Sequence, residues 1–239
     1  MELHKYKDGE ALSEAAAEWI THRIEDTLAR QPRFTIALSG GNTPKRLHRL
    51  LAQSPYRDRI DWSKMHVFWG DERAVPFEDP RNNAKMAYDT LLDFVDVPPA
   101  QVHIMNTDIK PEQSAKEYEQ LLHTYFDNTP TSLDLVLLGL GDNAHTLSLF
   151  PGQPVIHEEK AWAAAFWLEE QDMYRITLTR PIVNRSAAVV FITEGASKAP
   201  ALREVLEGPY NPDLYPAQVI KPVGELHWFV DEAAAADLK

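Results

Sequence analysis

The 239-residue chain has no cysteine, which excludes disulfides, thiolate catalysis and Cys-based zinc sites. No apolar run approaches the roughly 20 residues of a membrane-spanning helix. The first residues, MELHKYKDGEALSEAAAEWI, are too polar for a signal peptide. Positive charge is also scarce: the formal net charge is -12, and no Lys/Arg run supplies the dense basic footprint that nucleic-acid binding needs. HExxH, an EF-hand loop and a GxSxG elbow are all missing, which removes the usual signatures of zinc hydrolases, calcium binders and serine hydrolases. There is no internal repeat, low-complexity tract or Gly/Ser linker.

What is present is an ordinary globular composition, 44% hydrophobic and 25% charged, on a chain long enough to bury a sizeable core. The expectation is a single domain over residues 1–239, cytoplasmic, with neither membrane nor nucleic acid as a partner, and monomeric or weakly dimeric. Global acidity does not exclude an anionic ligand; it requires that any phosphate site be a local positive pocket.

Hydrophobic spacing predicts alternating strands and helices. Residues 11–30 carry Leu12, Ala15, Ala16, Trp19, Ile20, Ile24 and Leu28 at helical spacing. Phe34–Leu38, His66–Trp69, Leu133–Leu138, Ala187–Thr193 and Leu226–Val230 read as buried strands, Arg175–Thr179 as an alternating one, and Val102–Ile104 as a short one. Helices are expected over 44–53, 84–94, 111–126 and 197–206, with a last short one in DEAAAADL. Strand, polar or glycine-rich loop, helix, repeated, predicts an α/β fold with a parallel sheet covered on both faces. Ligands then bind beyond the carboxyl ends of the strands.

Four loops at such ends carry chemistry. Ser39-Gly40-Gly41-Asn42-Thr43 opens a helix. Its glycines allow close backbone approach, and the helix N-terminus offers donors to a phosphate, although an N-capped turn would look the same. Gly70-Asp71-Glu72-Arg73 ends an apolar strand with three charges. There Arg73 could grip a phosphate or an oxyanion and Asp71 could orient it, or the three could form a solvated ion pair. Gly139-Leu140-Gly141-Asp142-Asn143-Ala144-His145 ends the most apolar strand. Imidazole exchanges protons near neutrality, and of the nine histidines His145 alone has this setting. Gly195-Ala196-Ser197-Lys198 places a Lys at a helix start, against the dipole, which is weak evidence for a ligand role; on these residues alone an ordinary surface Lys is the favoured reading. The partial GxGxxG match at Gly139 follows a late strand and lacks the acidic residue of a dinucleotide site.

Taken together, the loops resemble the 6-phosphogluconolactonase family over nearly the whole chain. The resemblance rests on LSGGNTP (38–44), FWGDERAVP (68–76), Asn83, LGLGDNAHTLSLFPG (138–152), RITLT (175–179), Gly195–Lys198 and the ending ELHWFVDEAAAADL. It implies a Rossmann-like three-layer sandwich of the glucosamine-6-phosphate deaminase and ribose-5-phosphate isomerase type. It further implies hydrolysis of 6-phosphogluconolactone to 6-phosphogluconate in the oxidative pentose phosphate pathway, with neither metal nor cofactor. On that resemblance His145 activates water, Arg73 stabilises the oxyanion, and Asp71 joins the catalytic set. Ser39, Gly40, Gly41, Asn42, Thr43 and Lys198 hold the phosphate, and Asn83, Asn143 and Arg175 complete the substrate contacts.

The chain departs from the family pattern in two places. Asn143-Ala144-His145 stands where the family has Asp-Gly-His, so the ring loses a neighbouring carboxylate unless Asp142 replaces it, and Ala144 resists positive φ. Asn82 stands where Ser is usual before Asn83. Two rivals remain. One is a glucosamine-6-phosphate deaminase or isomerase with Asp71 as base, although no acid follows His145 before Glu158. The other is a non-catalytic sugar-phosphate binder.

Overall fold

The computed structural model describes residues 1–239. Nine strands form: β1 Glu2–Tyr6, β2 Phe34–Leu38, β3 Met65–Trp69, β4 Asp71–Arg73, β5 Leu135–Leu138, β6 Ala163–Leu168, β7 Met173–Leu178, β8 Ala188–Thr193 and β9 Glu225–Asp231. The helices are α1 Gly9–Leu28, α2 Asn42–Leu51, α3 Tyr56–Arg59, α4 Asn83–Thr90, α5 Pro111–Phe126, α6 Arg180–Asn184 and α7 Ala199–Glu207.

Six strands build one parallel sheet in the order β1-β9-β8-β5-β2-β3. Its inner strands β2, β5 and β8 are buried along their whole length, as a doubly covered parallel sheet demands. Alternate residues feed two cores: Ile36, Leu38, Val67, Trp69, Val190 and Ile192 on the side of α1, α2 and α4, and Ala37, Phe68, Val189 and Phe191 on the side of α5 and α7. The fold class is therefore the expected Rossmann-like α/β sandwich, with one addition. β4, β7 and β6 form a second, antiparallel sheet, which contributes Ile176 and Leu178 to the core on the α5 side.

Three local expectations are corrected. Asp71-Glu72-Arg73 is not a loop but strand β4, stabilised by pairing with β7 about a hundred residues later. Val102–Ile104 makes a single parallel bridge, Val102 to Val67, and goes no further. The DEAAAADL tail is a series of turns, not a helix. Asp231 there accepts from the backbone N–H groups of both Gly195 and Ala234, an anchor that overrides the helix propensity of alanine.

β2 is followed by β3 on one side and, after the return, by β5 on the other. The order of the sheet reverses between β2 and β5, and a crevice opens beyond their carboxyl ends at such a reversal. The loops after β2 and β5 are those that carry Ser39–Thr43 and Gly139–His145.

Candidate active site

A cleft of about 390 Å³ opens at this point, the size of a small-metabolite site. It is lined by Ser39, Gly40, Gly41, Asn42, Thr43, Asp71, Arg73, Asn83, His145, Arg175 and Lys198. Every site residue expected from the sequence is thus on its wall except Asn143, which stands behind the His145 ring. Residues that the sequence reading did not single out also line it, among them Thr146, Thr193 and Glu194.

The Gly141–Ala144 turn sets the position of His145. Gly141 N–H donates to the His145 carbonyl, and Ala144 N–H donates to the Gly141 carbonyl. A Cβ on Gly141 would sit 2.0 Å from His145 Nδ1, so only glycine leaves room for the ring there. Ala144 (φ 62°) and Leu147 (φ 54°) both take left-handed backbone, at about 1–2 kcal/mol each for a residue with a Cβ. This strain flanks His145 on both sides, as it does at many functional turns. Ala144 therefore keeps the conformation that glycine would adopt freely.

The Asn143 Oδ1 atom accepts from the His145 backbone N–H at 3.2 Å and lies 2.6 Å from His145 Nδ1. Because that oxygen only accepts, Nδ1 carries the ring proton and Nε2 keeps its lone pair. The ring also stacks on Phe150, with centroids 4.1 Å apart. Burial pushes the imidazole down to about 4; the Asp71 carboxylate opposes the shift, while Arg175, Lys198 and Arg73 add to it. At neutral pH His145 is a neutral base with its basic nitrogen unpartnered. Asp142 does not take the place of the missing carboxylate: it pairs with Lys198 Nζ at 2.5 Å and accepts from the Ser197 hydroxyl.

Arg73 and Arg175 are direct cross-strand partners on β4 and β7. Like charges so placed repel, and the structure answers them unequally. Arg175 is buried and bonds Asp71 Oδ2 at 2.6 Å, with Ser148 Oγ bridging the two at 2.9 and 2.6 Å. Asp71 thus orients Arg175, not Arg73 as the spacing suggested. Burial pushes the Asp71 carboxyl up, but Arg175 and Arg73 outweigh it and hold it below the usual carboxylate range. Arg73 meets only neutral acceptors, the Arg81 carbonyl at 2.7 Å and Asn83 Oδ1 at 3.0 Å, and its Nε is buried without a partner. It is a cation held ready for an anion. Asn83 is itself fixed by bonds to the Asp71 carbonyl and, through its N–H, to Glu72. Asn82 caps α4 by accepting from Lys85 N–H, a role that Ser would fill equally.

On the opposite wall α2 begins at Gly41 (φ 116°) without a side-chain cap, so its first N–H groups are open to an anion. A Cβ on Gly40 would fall 1.9 Å from Asn83 Oδ1, which explains the second glycine. Ser39 Oγ, Thr146 Oγ1 and Thr193 Oγ1 are buried and unpartnered, a cost of about 1–3 kcal/mol each unless a ligand pairs with them. The Thr43 hydroxyl instead donates to Glu194, which also holds Arg46 at 2.5 Å. The cleft thus offers a neutral imidazole base, an unpaired guanidinium and several orphaned donors.

Asn143→Asp should restore a carboxylate beside the ring. A negative charge favours the imidazolium, so the acid limb of the pH–rate profile should move to higher pH. An unchanged limb in that variant would mean that Asn143 does not tune His145.

The chain matches the family model for glucosamine-6-phosphate isomerases/6-phosphogluconolactonase over residues 7–228. It is 43% identical over 232 residues to the 6-phosphogluconolactonase of Synechocystis, spanning 95% of this chain and 94% of that one. With the 6-phosphogluconolactonase of Nostoc it shares 40% over 97% and 95% of the two chains. The solved 6-phosphogluconolactonase structure from Thermotoga maritima superposes with a TM-score of 0.84 at 25% identity, covering 96% of this chain and 99% of the other. The one from Trypanosoma brucei gives 0.86 at 25%, covering 100% and 98%. By fold, motifs and extent of identity, the chain belongs to the glucosamine-6-phosphate isomerase/6-phosphogluconolactonase family.

Proposed function

We propose that the protein hydrolyses 6-phospho-D-glucono-1,5-lactone to 6-phosphogluconate, the lactonase step of the oxidative pentose phosphate pathway. Relatives named for this activity at 43% and 40% identity over almost the full length support the substrate. The observation that carries the mechanism is His145, neutral, tethered at Nδ1 and free at Nε2.

In this mechanism Nε2 takes a proton from water as its oxygen attacks C1 of the lactone. The carbonyl electrons move to oxygen, and the Arg73 guanidinium stabilises that oxyanion. Collapse breaks the bond from C1 to the ring oxygen, which receives the proton from the imidazolium. The base returns unchanged, and this chain supplies every group used. The phosphate sits against Ser39, Gly40, Gly41, Asn42 and Thr43, with Lys198 shared between it and Asp142. Asn83 and Arg175 fix the sugar-facing wall, and Asn143 acts through the ring. Asp71 serves by holding Arg175. Its ion pair and lowered carboxyl make it a poor base, which disfavours the deaminase chemistry. The proposal extends to one functional unit over residues 1–239, on the single six-stranded sheet shared by both cores. Action in the cytoplasm, as a monomer or weak dimer, belongs to the same proposal. No helix is long and apolar enough to cross a membrane.

The test is loss of freshly generated lactone against its spontaneous rate, run beside ammonia release from glucosamine 6-phosphate. The expected result is acceleration of the first and none of the second. Ammonia release, or tight 6-phosphogluconate binding without lactone turnover, would replace this reading.

A further inference from the structure

A second cluster of titratable groups lies away from the cleft, at the edge of the main sheet. Strand β1 pairs with β9 in parallel, with Glu2 opposite His227 and His4 opposite Phe229. Because side chains alternate along a strand, Glu2, His4 and His227 share one face. His4 Nε2 lies 3.2 Å from His227 Nδ1 and 3.7 Å from Glu2 Oε2, and His227 Nδ1 lies 3.4 Å from the same Glu2 oxygen. Three donor atoms bound to one tetrahedral ion at 2.0–2.1 Å would stand roughly 3.3 Å apart. The observed triangle is close to that size.

The surroundings favour metal over a mere hydrogen bond between two rings. His227 Nε2 lies 3.1 Å from Glu225 Oε2, a carboxylate that can only accept, so Nε2 carries the proton and Nδ1 presents its lone pair to the triangle. A ligating imidazole is commonly oriented by a carboxylate in this way, and Glu225 is itself held by Arg23 at 2.7 Å. Packing fixes both rings: His4 stacks on Phe229 at 4.6 Å, and Trp19 lies 4.8 Å from His227. His227 is buried, whereas Glu2 is exposed, so an ion has a way in and an outer position for water.

We propose that Glu2, His4 and His227 bind one divalent transition-metal ion, Zn²⁺ being the best chemical match, and that the ion clamps edge strand β1 onto β9. Two imidazole nitrogens and one carboxylate oxygen suit Zn²⁺ better than Mg²⁺ or Ca²⁺, which prefer oxygen. On binding, the proton shared between the rings shifts from His4 Nε2 to His4 Nδ1, and Nε2 joins the metal. The site takes no part in lactone hydrolysis.

The test uses the tag-free full chain and Co²⁺, a spectroscopic stand-in for Zn²⁺. Expected are one Co²⁺ per chain, the intense visible bands of four-coordinate cobalt, and displacement by Zn²⁺. His4→Ala and Glu2→Gln, both at solvent-reached positions, should weaken binding at least tenfold with the fold intact by circular dichroism. His145→Ala, in the distant cleft, should bind as the parent does. No stoichiometric uptake, the weak bands of six-coordinate cobalt, or uptake that persists in His4→Ala and Glu2→Gln but vanishes in His145→Ala would overturn the proposal.

Discussion

His145→Ala is expected to lower the turnover of 6-phosphogluconolactone by about 10²–10⁴-fold, the usual contribution of a positioned general base, while 6-phosphogluconate still binds. The two effects separate because they rest on different loops. The base lies on the loop after β5. The open N–H groups of α2 and the Ser39 hydroxyl lie on the loop after β2. Loss of the ring removes the proton acceptor but leaves Arg73 with its Asn83 and Arg81 contacts, so residual turnover above the spontaneous rate is expected from oxyanion stabilisation. Near-normal turnover would assign the base elsewhere. Loss of product binding as well would mean that the loop had collapsed rather than lost its base.

Arg175→Met is expected to produce the largest change in stability. The Arg175 and Asp71 side chains are 4% and 7% exposed. Removing one partner of so buried a pair leaves an uncompensated charge, at about 3–5 kcal/mol. At this chain length that corresponds to a melting temperature lower by roughly 6–20 °C. The pH dependence is diagnostic. The folded-state carboxyl of Asp71 is held below its unfolded value, so its contribution is present in full above the unfolded pKa and is lost as pH falls through the folded one. The deficit of Arg175→Met should accordingly be greatest at neutral pH and should shrink as pH falls, because burial raises the Asp71 carboxyl once Arg175 is gone and its protonation removes the unpaired charge. Activity should fall too, because the Arg175 side chain is part of the cleft wall. A melting temperature within a degree or two of the parent would contradict the ion-pair account.

The main sheet was legible because its signal is local. β2 runs from Phe34 to Leu38 and α5 from Pro111 to Phe126, the expected limits in both cases, since an unbroken apolar run or an amphipathic repeat ends at proline or glycine. The missed elements depend on distant partners. β1, ELHKY, is an edge strand with largely exposed residues, so it lacks the apolar run of its neighbours. β4 is three charged or polar residues that become a strand only against Arg175–Thr177. β6 reads as an alanine run and is explained by β7 across a hairpin.

The candidate site follows the same division. Motif residues converge on one cleft because the sheet reverses between β2 and β5, and strand-end loops can be found in a sequence. Pairings cannot. Spacing put Asp71 beside Arg73, whereas the antiparallel register gives it to Arg175 and Ser148. Nor could spacing show that Asp142 faces Lys198 rather than His145. The buried hydroxyls of Thr146 and Thr193 carry no sequence signal beyond their place next to strand ends.

The central claim is that a neutral, half-buried imidazole activates water, and the dependence of kcat/KM for the lactone on pH tests it most directly. That parameter reports the ionisation of the base in the free enzyme. With His145 pushed down to about 4, the rate above spontaneous hydrolysis should stay on its plateau through 6.5, the value of an ordinary imidazole, and decline only as pH approaches about 4. A parent enzyme that loses half its activity near 6.5 would contradict the account.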